Sequence, residues 1–288
     1  MILLQAAISG ALLGGLFALM AFGLSLTWGM LRLINLAHFG LILLGAYMTF
    51  EIATTARVNP LFTVVITAPI LFVAGAVLHW AFVRFGLAEF NSLLVSFGIL
   101  IAIIQMVSNI WSADFQRMDA AVNPFATQSA VVGPFVFPTP TLLAFATALA
   151  IVAGAHVFFA RSYPGRALRA FAQDRQIAAA FGIDHVRLGA LLAGMAGASA
   201  AIAGMLFAVG SALTPSAPFE WFGLVFAVVI LGGIGNVGGT LGAGVVVGMA
   251  SGVVSVVWSP ATAPIVIFGA IIVALLVRPE GLFIRRAR

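Results

Sequence analysis

An all-α, polytopic membrane bundle is the architecture this sequence predicts, and three observations predict it. Only 7% of the residues are charged and 63% are hydrophobic, whereas a soluble domain carries roughly 25% charged residues. Uncharged runs at 60–83, 141–160 and 188–210 each reach the roughly 20 apolar residues that take a helix across a bilayer. Mean hydropathy is +1.20 over the chain. Spans on this scale use up nearly all of the 288 residues, so one transmembrane domain over 1–288 is expected.

In chain order the hydrophobic segments fall near 6–31, 36–50, 60–83, 91–112, 141–160, 188–210, 222–232, 241–258 and 262–277. That makes about eight or nine, some of them short and discontinuous. The first has no basic region before it and no small-residue cleavage site after it, so it reads as a helix and not a removed signal. Gly189, Ala193, Gly197 and Ala201 recur every fourth residue, as do Gly244, Gly248 and Gly252; that spacing lets helix backbones approach closely in lipid. Residues 112–140 form the longest polar connection, with Asp114, Arg117, Asp119 and four prolines. Connections beyond about 12–15 residues are usually functional or disordered, so a partner surface and a plain connector both stand.

The arginines orient the bundle. With the N-terminus outside, the inner segments hold Arg32, Arg84, Arg161, Arg166, Arg169, Arg175, Arg187, Arg278, Arg285, Arg286 and Arg288, against only Arg57 and Arg117 outside. Inner loops collect positive charge, so the island 161–187 and the C-terminus are assigned to the cytoplasm.

Composition also excludes chemistry. Without cysteine there is neither a disulfide nor a thiolate metal site. Gly232–Gly239 resembles a phosphate loop, but such a loop needs a lysine and the chain has none. No basic face interleaved with aromatics suggests nucleic acid. His79 and His156 lie in apolar helices without a second ligand one turn on, and both are expected to be buried structural residues. No catalytic residue, metal or cofactor is therefore expected. A Ser–His hydrolase within the membrane has no spacing to support it. All eight acidic residues fall at span ends or in loops, so the carboxylate relay of a proton-coupled carrier is not visible. An outside energy source leads, with a self-sufficient carrier or channel as the alternative.

Two regions stand out. From Gly165 to Phe181 the residues favour one helix of about four turns, with Arg166, Arg169, Gln173 and Gln176 on a polar stripe and Gly182 placed to end it. Such a helix suits membrane lipid and a soluble partner equally. The short segments adjoin Asn35, His38 and Phe39 on one side and Gly233 and Asn236 on the other. Interrupted hydrophobic segments point to a transport path, and these five are the candidate pathway residues.

Several stretches resemble the permease subunits of branched-chain amino acid ABC transporters, in particular the shorter of the two paired permeases. They are Gly23-Leu-Ser-Leu-Thr-Trp-Gly29, Ile34-Asn-Leu-Ala-His38, Gly45-Ala-Tyr47 and Leu94-Val-Ser-Phe-Gly98. Gly165-Arg-Ala-Leu-Arg-Ala170, Ala178-Ala-Ala-Phe-Gly-Ile183, Val229-Ile-Leu-Gly-Gly-Ile-Gly-Asn-Val-Gly-Gly239 and Arg278-Pro-Glu-Gly-Leu-Phe283 continue the series. The resemblance implies a multi-pass protein of the bacterial inner membrane. It further implies that 165–182 holds a coupling helix docking on cytoplasmic ATPase subunits, with Gly165, Arg166, Arg169, Asp174, Ala178 and Gly182 as coupling residues. A second permease subunit, identical or related, and an extracytoplasmic solute-binding protein at the 112–140 face are implied as partners. Family members often place glycine directly after the Asn-x-Ala-His/Gln motif, whereas Phe39 precedes Gly40 here. The substrate therefore stays open among branched-chain amino acids and related small amides or organic acids.

Overall fold

In a computed structural model, residues 1–259 and 262–277 are described; the C-terminal arginines and the Arg278–Phe283 stretch lie outside them. The helices are α1 (Ile2–Leu26), α2 (Ala37–Ala56), α3 (Val64–Arg84), α4 (Glu89–Trp111), α5 (Thr139–Arg161), α6 (Tyr163–Gln173), α7 (Arg175–Ala180), α8 (His185–Gly210), α9 (Ala217–Gly232), α10 (Val237–Val257) and α11 (Ala263–Val277). A π-helix, Thr27–Leu31, prolongs α1, and a short 3-10 turn, Pro60–Thr63, leads into α3. Among the described residues, seven helical segments are long and apolar enough to cross a membrane, and α9 and α11 are shorter apolar helices.

Small residues decide which helices touch. Gly10 and Gly14 of α1 lie directly on the backbone of Gly248 and Gly244 of α10, so neither position has room for a Cβ. Likewise Gly197 and Gly189 of α8 lie against Leu71 and His79 of α3, while Gly204 meets Ile42 and Ala46 of α2. Without a hydrophobic drive between helices in lipid, this close dispersion contact is what holds them together. Both expected small-residue stripes are used inside the chain. The centre is α8, with 78% of its most apolar window buried, against 17% for α4; α4 therefore presents most of its surface outward.

Interactions beyond the helices mark the two ends of the bundle. At one, the hairpin of β1 (Ser129–Val132) and β2 (Phe135–Pro138) is tied to α1, the Val136 N–H donating to Gln5 Oε1 at 3.3 Å. Gln116 and Leu213 exchange backbone hydrogen bonds there, at 2.9 and 2.7 Å. At the opposite end, Leu31, Leu33, Gly86, Leu87 and Phe171 border one pocket. The segments assigned to opposite faces from the arginines thus gather at opposite ends.

Some expected boundaries move. The 36–50 segment is a full 20-residue helix, because Glu51 sits exposed near its C-terminal end, accepting from Trp111 Nε1 at 2.9 Å, and the helix runs on to Ala56. The single helix over 165–181 is two: Asp174 adopts an extended conformation, φ −146° and ψ 110°, and its carboxylate accepts the Ile177 N–H at 3.0 Å. An aspartate that offers its side chain to the backbone ends one helix and caps the next. His79 is buried as expected, but His156 lies on the exposed outer face of α5.

Candidate coupling and translocation site

The island 161–187 is built on a cap. Ser162 accepts the Gly165 N–H at 3.0 Å, satisfying one of the free donors at the start of α6. Gly165 is buried because the turn folds back on Phe158 and Phe159 of α5. From there α6 is amphipathic: Ala167, Leu168 and Phe171 are buried, and Arg166, Arg169, Ala170 and Gln173 are exposed. Arg166 Nη1 donates to the Arg161 carbonyl at 2.7 Å. Ala178 of α7 joins the same buried cluster. Gly182 has φ +76°, and the Ile183 N–H returns to the Ala178 carbonyl at 3.2 Å, the hydrogen bond of a left-handed glycine cap. The expected coupling residues thus divide. Gly165 and Ala178 are buried, Ala178 beside Leu168 and Phe171, and anchor the island; Arg166, Arg169, Asp174 and Gly182 are exposed, and so are three large side chains, Tyr163, Ile177 and Phe181.

The pathway candidates lie deeper. Asn35 and His38 are buried where α2 begins. His38 Nε2–H donates to the Met20 carbonyl at 3.0 Å and its ring fills the space left by Gly23. The Leu36 N–H donates to Ser96 Oγ at 2.9 Å. Asn35 Oδ1 has no hydrogen-bond partner among the described residues. It borders a cavity of about 10 Å³ with Thr27 and His79, close to the space one water needs. Phe39 is wholly buried, 4.5 Å from the ring of Phe222 and 6.1 Å from that of Phe226.

On the other side, Gly233 (φ +86°) stops α9 and Gly235 (φ +81°) turns the chain toward α10. Asn236 caps α10, its Oδ1 accepting the Gly239 N–H at 3.1 Å. The two groups sit at the starts of different helices, α2 and α10. The end of α1 runs between them: Gly23 faces His38, and two residues later Ser25 Oγ accepts the Gly235 N–H at 3.1 Å and sits 3.4 Å from Thr240 Oγ1.

Sequence reasoning passed over Ser25, Trp28, Gly29, Phe222 and Phe226, which complete this arrangement. Phe222 and Phe226 are four apart on α9, a one-face spacing that carried the signal. Among the described residues no group of three or more His, Asp or Glu side chains could hold a metal. What remains is an apolar, aromatic and amide-lined arrangement.

Comparison with known proteins agrees. The chain is 27% identical to the high-affinity branched-chain amino acid transport system permease protein BraD of Pseudomonas aeruginosa, over 97% of this chain and 95% of that protein. It is 28% identical to the permease protein LivH of Escherichia coli K12, over 97% and 94%, and 27% identical to LivH of Salmonella typhimurium, again over 97% and 94%. No solved structure matches it. The family model for the permease component of branched-chain amino acid transport systems matches residues 6–276, and the chain belongs to that family.

Proposed function

We propose that this chain is the membrane-spanning subunit of an ABC importer. It moves a branched-chain amino acid, or a related small amide or organic acid, inward on ATP hydrolysed by partner subunits, with no catalytic residue of its own. In this reading it sits in the bacterial inner membrane with its N-terminus outside and its C-terminus in the cytoplasm, paired with a second permease. A solute-binding protein delivers substrate at the face carrying 112–140.

The observation that carries this is the α6–α7 island. Its inner face is locked to the bundle by Leu168, Phe171 and Ala178, and its outer face combines Arg166 and Arg169 with exposed Tyr163, Ile177 and Phe181. Large apolar side chains set among arginines suit a protein groove, where aromatics and arginine dominate binding. The same helix lying on anionic lipid is the competing reading.

Reversal of both arginines, Arg166→Glu with Arg169→Glu, decides between them in proteoliposomes holding the whole assembly. Coupling predicts that ATP-driven uptake falls by about tenfold or more while the protein inserts normally. Uptake that persists with only weaker vesicle binding would mean a lipid-surface helix. Transport by the isolated chain without ATP would overturn the importer reading itself.

A further inference from the structure

The π-helix Thr27–Leu31 meets three parts of the molecule at once. Met30 and Leu31 are buried with Leu168 and Phe171 of α6. Gly29 lies flat on Gly235, where any Cβ would strike the Gly235 backbone. Trp28 stands edge-on to Phe226, the ring centroids 6.2 Å apart, and so joins the chain of rings that runs through Phe39 to Phe222. Phe39 is fully enclosed, but Trp28, Phe222 and Phe226 are only partly buried. The cluster therefore has an open side.

That side adjoins broken backbone. Helix α9 has 16 residues, roughly 24 Å at 1.5 Å per residue, short of a hydrocarbon core about 30 Å thick. It gives way to non-helical chain at Gly233, with Ile234 exposed beyond it. Non-helical backbone at membrane depth is stable only against protein or a water-filled cavity, and apolar rings bordering such a cavity close it by excluding water.

We infer that Trp28 is the inner gate of the transport path, and that the π-helix carries movement of α6 to it. This rests on the importer reading above. A π-turn holds one residue more than an α-turn, and such turns recur at functional sites. Its conversion to an α-turn rotates Trp28 relative to Phe226 while Ser25 and Gly29 stay docked on Gly235. Displacement of α6 acts directly on Met30 and Leu31, inside the same apolar cluster. Trp28 carries the contact with the ring cluster and Gly29 the contact with the glycine break.

The test uses the complete assembly in proteoliposomes preloaded with radiolabelled leucine, without ATP. Trp28→Ala should raise leucine efflux by about tenfold at equal incorporation, and Trp28→Phe should stay within about twofold of the native protein. Phe171→Ala should leave the vesicles tight yet lower ATP-driven uptake per ATP hydrolysed by about fivefold. The chain is free of cysteine, so Ser25→Cys supplies a substrate-independent readout. Its labelling by a membrane-impermeant maleimide should be slow with Trp28 and about tenfold faster with Trp28→Ala. Efflux and labelling unchanged in Trp28→Ala would overturn the gate; an unchanged coupling ratio in Phe171→Ala would overturn the link to α6. Native vesicles without any ATP-driven uptake would instead bring down the importer reading.

Discussion

Between α1 and α2 the backbone keeps winding as a π-helix to Leu31 and reverses over 32–36. Between α9 and α10 it halts at Gly233 and restarts after Asn236. The first junction is held by side chains. Thr27 Oγ1 donates back to the carbonyls of Gly23 and Leu24 at 3.1 and 3.2 Å, the same two that its backbone N–H reaches, and Arg32 closes the turn in the left-handed region at φ 54°. The second is held by backbone, through two left-handed glycines and one asparagine cap. A junction made of side chains can change its winding without breaking, whereas one made of glycine geometry is a fixed anchor. The difference fits the movement inferred for the end of α1, with the α9–α10 turn as its anchor.

The most damaging way to break this comparison is to separate the two junctions where they meet. Gly29→Val places a branched side chain against the Gly235 backbone and should cost about 3 kcal/mol or more, seen as loss of monodisperse protein in detergent. A smaller pair tests the opposite natures of the turns. Gly233→Ala forces a Cβ into φ +86° and should destabilise by about 2 kcal/mol, while Arg32→Gly removes the same kind of strain and should raise the thermal midpoint slightly, by about 0.5 kcal/mol. If both changes lower it, the first turn is not held by side chains against its own backbone preference.

The smallest effects separate the two asparagines. Asn236→Ala removes a cap and should cost about 1 kcal/mol. Asn35→Ala removes an oxygen without a hydrogen-bond partner among the described residues and should change stability by less than about 0.5 kcal/mol while still lowering uptake. Equal losses of stability with uptake intact would make Asn35 a structural residue, and remove it from the path.

Much of this was legible in the sequence for physical reasons. Runs of apolar residues must cross, so the spans were placed; glycines at every fourth position must pack, and those of α8 and α10 do. The glycine break at 232–236 announced itself because left-handed backbone is written in glycine. The π-helix did not, since Thr27-Trp-Gly-Met-Leu31 contains no proline and a single glycine, and a threonine hydroxyl folded back on the preceding turn leaves no mark in the residue pattern. The C-terminal end of α2 was drawn too early, because a carboxylate such as Glu51 looks like the edge of the membrane until a neighbouring indole is seen to satisfy it. Asp174 was placed on the coupling surface, but its second use as a helix cap depends on a local choice between two backbone states. The aromatic cluster was missed because Trp28, Phe39 and Phe226 are far apart in the chain and meet only after α1, α2 and α9 are assembled.

The seam between α1 and α10 has a consequence for how the protein is made. Gly10 and Gly14 of α1 are made more than 200 residues before their mates Gly248 and Gly244 of α10. Synthesis proceeds at roughly 5–20 residues per second, so α1 sits in the bilayer for tens of seconds with its glycine face bare. During that interval the face is open to any passing small-residue helix, and the native pairing must displace whatever has settled there. The α1–α10 seam can therefore close only once α10 has been made.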